Sequence, residues 1–210
     1  MATVSHTFTV DLAARMDRNS SMTHKHQPTP FDFIQKATRR HRLRHWCSAY
    51  AFKDGAGLID IARQYSPARV IELGTALGFT ACCLASSGKA ARVDTIEGDS
   101  QHAALARTNI KTAGLAERIA VHLGRFEEVL RSLPGRYDMA FFDGGAPSIP
   151  VIEQLHALLD DEGVLICANL SRASAGQARE LMREFDDADR WLRSGAIEDG
   201  DTLVFRKQGK

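Results

Sequence analysis

The stretch Val70-Ile71-Glu72-Leu73-Gly74-Thr75-Ala76-Leu77-Gly78-Phe79-Thr80 decides the fold of this 210-residue chain. An apolar, β-branched run ends in an acid, a glycine-containing turn follows, and a helix of small residues begins. Doubly wound α/β domains build a ligand pocket from this succession, at the carboxyl end of a strand. The stretch therefore predicts an α/β domain with its ligand site at this turn.

Strand and helix patterns alternate along the rest of the chain. Most predicted strands are near-continuous apolar runs, as expected where helices cover both faces of a parallel sheet. The predicted strands are 69–73, 92–97, 119–123, 138–143 and 163–168, and residues 191–197 and 202–206 are expected to form a closing hairpin. Upstream of the sheet, a helical pattern covers residues 31–52 and a second helix covers residues 58–65.

The length of the chain suits one domain with a full core. Residues 1–30 are mostly polar and are predicted to be a flexible N-terminal tail. Residues 31–65 are predicted to be a helical segment that packs on the core, and residues 66–210 to be the core itself.

Composition narrows the class of partner. The chain has 27 basic and 26 acidic residues, so its net charge of +1 gives no reason to expect nucleic acid. The basic cluster Arg39–Arg44 is interpreted as the solvated face of a helix. Four cysteines without CxxC spacing indicate a reducing compartment. With no apolar run long enough for a membrane span and no signal-peptide core, we expect a soluble, cytoplasmic protein.

Polar residues follow several predicted strands, where a parallel sheet brings them to one edge. Glu97 ends the second strand, where an acid can accept hydrogen bonds from ribose hydroxyls. The alternative is that Glu97 caps the next helix, a task that suits Asp99 or Ser100 better. Asp143 ends the fourth strand at the same edge.

The glycine turn offers a close approach to a ligand. Gly74 permits backbone to approach it, while Gly78 and Thr80 open a helix whose N–H groups favour an anion. Packing alone is the alternative for Gly78, and an ordinary helix hydroxyl is the alternative for Thr80. Phe126 could form a flat wall for the base of a nucleoside-type ligand, or could be part of the core.

The glycine spacing selects among ligands. A dinucleotide fingerprint needs glycine at positions 74, 76 and 79, so that backbone can approach a pyrophosphate. The chain has Ala76 and Phe79 at two of these positions. The turn therefore favours a ligand without a pyrophosphate, and NAD is disfavoured.

Residues 70–170 resemble the class I S-adenosylmethionine (SAM)-dependent methyltransferases, and within them the catechol and caffeoyl-CoA O-methyltransferase group. Besides the opening stretch and the turn Asp54–Gly57, the matching segments are Ile96-Glu97-Gly98-Asp99, Ala113–Ile119, Tyr137–Asp143 and Gly163–Asn169. The resemblance implies a Rossmann-like, seven-stranded, mainly parallel sheet in the order 3-2-1-4-5-7-6, with helices on both faces. It also implies SAM as cofactor, and the predicted cofactor-binding residues are Glu72, Gly74, Thr75, Gly78, Thr80, Glu97, Gly98, Phe126 and Asp143.

The chain departs from the pattern of that group at its metal site. The group holds a divalent metal with one acid after strand four and an Asp-Asn pair after strand five, and it has a lysine shortly after the strand-four acid. Here Asp143 and Asn169 are kept, Ala168 replaces the second acid, and residues 144–147 contain no lysine. A hard cation is poorly held by one carboxylate. We therefore predict no metal-binding residue and name Asp143 alone as the catalytic candidate.

The expected function is methyl transfer from SAM to an oxygen, less readily a nitrogen, of a small-molecule acceptor. Positioning of a nucleophilic acceptor can supply the rate without a metal, or a base can come from elsewhere in the chain. One alternative is a SAM-binding protein without catalysis, and a second is an NAD-dependent oxidoreductase. A homodimer is possible by analogy with the related group.

Overall fold

The computed structural model describes residues 27–209, in which seven α-helices accompany seven strands. Helices α1 (Asp32–His45) and α2 (Gly55–Tyr65) precede the sheet. The alternating elements that follow are β1 (Arg69–Leu73), α3 (Phe79–Ala85), β2 (Arg92–Glu97), α4 (Ser100–Thr112), β3 (Ile119–Leu123), α5 (Phe126–Ser132), β4 (Tyr137–Phe142), α6 (Ile149–Leu158), β5 (Leu159–Cys167), α7 (Ala175–Phe185), β6 (Trp191–Ile197) and β7 (Thr202–Lys207). Within the described range, no helix is both long enough and apolar enough to span a membrane.

The seven strands form one sheet in the order β3-β2-β1-β4-β5-β7-β6. The five strands β3, β2, β1, β4 and β5 are parallel to one another, whereas β7 runs antiparallel to both β5 and β6. This order and this mixture of directions confirm the fold predicted from the resemblance.

Alternate residues of the central strands enter two separate buried clusters, one on each face of the sheet. Val70 and Met139 face a cluster that contains residues of α1 to α4, whereas Ile71 and Ala140 face a cluster that contains residues of α5, α6 and α7. Helices therefore cover both faces, which explains the near-continuous apolar strands.

The helical pattern of residues 31–52 forms a shorter helix than its sequence predicts. Helix α1 ends at His45 because Trp46 adopts a left-handed conformation, with φ of 51°, and its N–H donates to the Arg42 carbonyl. The following residues run without a helix to Asp54, whose side chain accepts a hydrogen bond from the Gly57 N–H and caps α2. The N-terminal part is thus two helices joined by a loop.

This loop is fixed to the core at Phe52. The buried Gln35 side chain donates a hydrogen bond of 2.8 Å to the Phe52 carbonyl, and the Phe52 ring lies 5.4 Å from that of Phe141 in β4. The loop therefore runs beside the sheet. The division into 1–30, 31–65 and 66–210 stays a prediction, since residues 1–26 lie outside the described range.

Candidate active site

Backbone hydrogen bonds bring the loops after β1, β2 and β4 to one edge of the sheet. The Gly74 and Thr75 N–H groups donate to the Ile96 carbonyl at 3.1 and 3.3 Å. The Asp143 N–H donates to the Leu73 carbonyl at 2.8 Å. The predicted site residues that follow these three strands therefore lie together.

Glycine is required at the first position of the β1 loop. Gly74 has φ of +101°, and a Cβ there would lie 2.8 Å from the Asp143 carbonyl oxygen. Real Cβ atoms do not approach backbone so closely. Gly78, with φ of +93°, precedes α3, and a Cβ there would lie 3.2 Å from Ile110 Cγ1 in α4. Gly78 therefore allows α4 to pack closely against the start of α3, which is the packing role that the sequence analysis left open.

Glu97 holds the glycine turn rather than the following helix. Its Oε2 accepts the Ala76 N–H at 2.8 Å, and its Oε1 accepts the Asp99 N–H at 2.9 Å. Asp99 is the residue that caps α4, since its Oδ1 accepts the Gln101 and His102 N–H groups. A carboxylate has about four lone-pair sites, so Glu97 keeps acceptor capacity for a ligand.

Glu72 is fully buried and only partly hydrogen-bonded. Its Oε2 accepts the Thr95 hydroxyl at 2.5 Å, and that hydroxyl lies 2.6 Å from the hydroxyl of Thr75. Its Oε1 accepts no hydrogen bond of regular geometry among residues 27–209. Burial raises the pKa of Glu72 to about 7, while the hydroxyls of Thr80 and Thr95 oppose this rise. An unpaired buried acceptor costs about 1–3 kcal/mol, so a ligand that donates to this oxygen would relieve an existing cost. Thr80, also buried, lies in the first turn of α3.

Phe126 lies half-buried at the border of this edge. Its ring centroid is 6.2 Å from that of Phe142, and its ring lies against Gly144, where a Cβ would be 2.3 Å from Phe126 Cε2. Phe126 therefore packs against the core, which is one of the two roles that the sequence left open for it. Gly98 lies across from Gly124, since a Cβ added to Gly98 would lie 3.9 Å from the Gly124 carbonyl oxygen.

Asp143 forms a pair with Asn169, which follows β5. The Asn169 side-chain amide donates a hydrogen bond of 2.6 Å to Asp143 Oδ1. Burial raises the pKa of Asp143 to about 8, while the Asn169 hydrogen bond and the charge of Arg172 oppose this rise. An acid whose pKa lies close to neutrality can exchange a proton at physiological pH.

A second acid near Asp143, Glu198, was not identified from the sequence. The negative charge of Glu198 contributes to the raised pKa of Asp143. Glu198 accepts hydrogen bonds from the Lys53 N–H at 3.0 Å and the Thr202 hydroxyl at 2.9 Å. Its place follows from antiparallel pairing, because Leu203 pairs with Cys167 and the β6–β7 turn returns to the end of β5. The signal in the sequence is the closing hairpin, because a last strand that pairs antiparallel with β5 brings the hairpin turn to the end of β5.

Two arginines stack on Tyr50, which the sequence also did not mark. The guanidinium carbons of Arg42 and Arg172 lie 4.1 and 4.3 Å from the centroid of the Tyr50 ring, which is 46% exposed. Arg42 belongs to α1 and Arg172 follows β5. These contacts place the exposed Tyr50 ring, which belongs to the loop after α1, near the end of β5, where Asn169 lies.

The residues around Asp143 do not fit a tightly held magnesium ion. The Asn169 amide presents an N–H to Asp143 and Ala168 supplies no oxygen ligand, so Asp143 is the one carboxylate at these three positions. Magnesium needs several oxygen ligands in octahedral geometry. Within the described residues, the His, Cys, Asp and Glu side chains that converge closely enough for a metal lie elsewhere.

Comparison with known sequences points to one family. A family model described as a methyltransferase domain matches residues 71–170. Catechol O-methyltransferase of Mycobacterium tuberculosis is 31% identical over 144 residues, which are 67% of this chain and 63% of that protein. Catechol O-methyltransferase of Niastella koreensis is 32% identical over 114 residues, which are 52% of each protein. The chain thus spans between about half and two thirds of the length of these relatives.

Solved structures share the whole fold. The O-methyltransferase of Bacillus cereus, in complex with S-adenosylhomocysteine (SAH), has a TM-score of 0.73 at 19% identity, over 96% of this chain and 97% of that one. An O-methyltransferase of Streptomyces achromogenes involved in tomaymycin synthesis, in complex with SAM, has a TM-score of 0.71 at 22% identity, over 96% of each chain. At such identities the likeness concerns the fold. The sheet order, the match over residues 71–170 and these relatives together place the chain in the class I SAM-dependent methyltransferases.

Proposed function

We propose that the protein transfers the methyl group of SAM to an oxygen of a small-molecule acceptor. The convergence of Glu72, Glu97 and Asp143 beside the glycine turn carries this proposal. The relatives named catechol O-methyltransferase support oxygen over nitrogen as the acceptor atom.

The acids at the sheet edge suit the two polar ends of SAM. The unpaired Oε1 of Glu72 is a buried acceptor for an ammonium group, such as that of the methionine part. Glu97 keeps lone pairs for ribose hydroxyls. We assign Gly74, Thr75, Gly78 and Thr80 to the methionine side, and Gly98 and Phe126 to the adenosine side.

Asp143 is proposed as the base. Bound SAM supplies a methyl group on a positively charged sulfur, which is open to attack by an oxygen. As the new carbon–oxygen bond forms and the carbon–sulfur bond breaks, the acceptor hydroxyl releases its proton to Asp143, leaving a methyl ether and SAH. Asn169 positions the Asp143 carboxyl group through its hydrogen bond. Since the pKa of Asp143 is about 8, the group is basic enough to take this proton and is partly ionised near neutrality.

Alignment of the acceptor supplies the rest of the rate in this proposal, since the residues at Asp143 do not fit a metal. The exposed Tyr50 ring and the Arg172 guanidinium are the groups from which we expect acceptor contacts. A homodimer and a cytoplasmic location stay predictions.

Calorimetric titration with SAH is the first test of the proposal. We expect one site per chain, and we expect Glu72→Gln to weaken SAH binding by tenfold or more through loss of charge. Glu180→Gln, which changes an exposed acid of α7, is the matched control and should leave binding unchanged. No SAH binding by a folded sample would contradict the assignment of the cofactor.

Turnover separates the main proposal from its alternative. Radiolabelled SAM is incubated with a panel of vicinal diols, monophenols and hydroxy acids, and methylated product is extracted. Product that requires Asp143 supports the O-methyltransferase. Normal SAH binding without product across the panel would favour a SAM-binding protein without catalysis, the alternative that the absent second acid and lysine support.

A further inference from the structure

We propose that His41, Cys47 and His102 bind a zinc ion, at a site separate from Asp143. One ligand atom from each of these side chains lies within 4.8 Å of the ligand atoms of the other two. This inference does not depend on the proposed methyl transfer.

The three residues come from two parts of the chain that tertiary structure brings together. His41 lies in the last turns of α1, and the left-handed Trp46 then turns the chain so that Cys47 lies near His41. His102 lies in the first turn of α4, where its side chain is buried. A cluster formed from residues about 60 positions apart does not follow from helix periodicity.

The ring nitrogens of the two histidines are available to a metal. His41 Nε2 is buried and has no hydrogen-bond partner in the part of the chain that the structure describes. The two imidazole rings meet edge to face, with centroids 5.3 Å apart. His102 Nδ1 lies 3.8 Å from Glu97 Oε1, which is longer than a hydrogen bond. Metal-ligating histidines commonly face a carboxylate through their other nitrogen.

The donor set selects the kind of metal. Two imidazole nitrogens and one thiolate suit zinc, whereas magnesium and calcium prefer oxygen ligands. Tetrahedral zinc, with bonds of about 2.1 Å to nitrogen and 2.3 Å to sulfur, separates its ligands by about 3.5 Å. Side-chain rotations that shorten the separations by about 1 Å would therefore complete the site. Three protein ligands leave the fourth position to water.

The site would connect the N-terminal helix to the cofactor edge. His102 lies beside Glu97, and Glu97 accepts the Ala76 N–H of the glycine turn. A metal held by α1, the following loop and α4 would therefore fix the N-terminal segment against the wall of the cofactor site. We expect metal loading to raise the melting temperature of the protein.

Cobalt(II) is the probe for the site. Reduced, chelator-treated protein without a polyhistidine tag is titrated with Co²⁺ and then with Zn²⁺. We expect one equivalent of Co²⁺ to give the visible bands of tetrahedral coordination and a near-ultraviolet thiolate charge-transfer band, and Zn²⁺ to remove both. Cys47→Ser should abolish the charge-transfer band, and His102→Ala should weaken zinc binding by more than about tenfold.

Two matched controls test whether this cluster is responsible. Cys82→Ala removes a different buried thiol, and the double variant His24→Ala, His26→Ala removes histidines that precede the described residues. Both should keep the full spectrum and stoichiometry. Loss of the bands in the His24, His26 variant, their persistence in Cys47→Ser, or the absence of stoichiometric binding would each overturn the proposal. If Cys47→Ser does not fold, X-ray absorption of the wild-type zinc protein decides, because only one sulfur and two imidazoles per zinc agree with the proposed site.

Discussion

Replacement of Gly74 by alanine tests the close approach that forms the site. Gly74 has φ of +101°, and a left-handed conformation costs a residue with a Cβ about 1–2 kcal/mol. The added Cβ would also lie 2.8 Å from the Asp143 carbonyl oxygen, while ordinary contact begins at 3.4 Å. The β1 and β4 loops must therefore separate by about 0.6 Å, and overpacking of this kind costs about 1–3 kcal/mol. We expect Gly74→Ala to lower the free energy of unfolding by about 2–5 kcal/mol.

A second glycine provides the matched control. Gly114 also has a left-handed φ, of +72°, but a Cβ there would have nothing within 4 Å. Gly114→Ala should therefore lose only the conformational part, about 1–2 kcal/mol. The remaining difference between the two variants measures the close approach of the β1 and β4 loops.

Urea unfolding and SAH titration of both variants provide the measurements. Because the separation of the two loops displaces Asp143 relative to Glu72, Gly74→Ala should weaken SAH binding by about tenfold or more, equivalent to about 1.4 kcal/mol. Gly114 precedes β3, and its replacement should leave SAH affinity unchanged. Equal losses of stability and equal SAH affinities in the two variants would refute the reasoning.

Three further predictions concern the acids of the site. Since burial raises the pKa of Glu72 from 4.5 to about 7, its stabilising contribution is full below pH 4.5 and is lost as the pH rises to 7. Titration of Glu72 should therefore lower the unfolding free energy of the wild type by about 3 kcal/mol between pH 4.5 and pH 7. Glu72→Gln should lack this decrease, which urea unfolding at the two pH values measures. Asp143→Asn should lower kcat by about 100-fold or more, whereas wild-type kcat/KM should rise with pH to a midpoint near 8. Asn169→Ala should move that midpoint upward, because it removes a hydrogen bond that lowers the pKa of Asp143, and an unmoved midpoint would argue against Asp143 as the base. Ala168→Asp restores a second carboxylate at a buried position, so Mg²⁺ should raise the melting temperature of this variant but not of the wild type; an equal rise in both would contradict the account of the metal site.

The sequence alone predicts the part of the site that local rules govern. The strand that ends at Leu73 and the glycine turn after it are contiguous, and parallel topology places the ends of β1, β2 and β4 at one edge. Asp99 was expected to suit the cap of α4 better than Glu97, and the structure shows that cap because a short acid at this position reaches two free N–H groups. These features depend on neighbours in the chain.

Contacts between distant segments explain what the sequence did not predict. Glu198 reaches the site only because β7 turns back antiparallel to β5, and Tyr50 only because the loop after α1 returns along the sheet. The early end of α1 depends on the left-handed Trp46, a conformation that tryptophan rarely favours and that no local pattern indicates. Long-range packing decides each of these positions.

The replacement at position 168 and the poor fit to a metal are consistent with each other. Two carboxylates that share a buried site without a cation repel, so that one of them must stay protonated. With Ala168, Asp143 has no acid directly beside it in the Asp-Asn position, and Asn169 serves it as a hydrogen-bond donor. Arg172 adds a positive charge that opposes the rise of the Asp143 pKa. Glu72 and Glu198 still raise the pKa of Asp143, which reaches about 8 mainly through burial. In the proposed mechanism, Asp143 therefore assists methyl transfer by removing a proton from the acceptor, where the related group uses a metal.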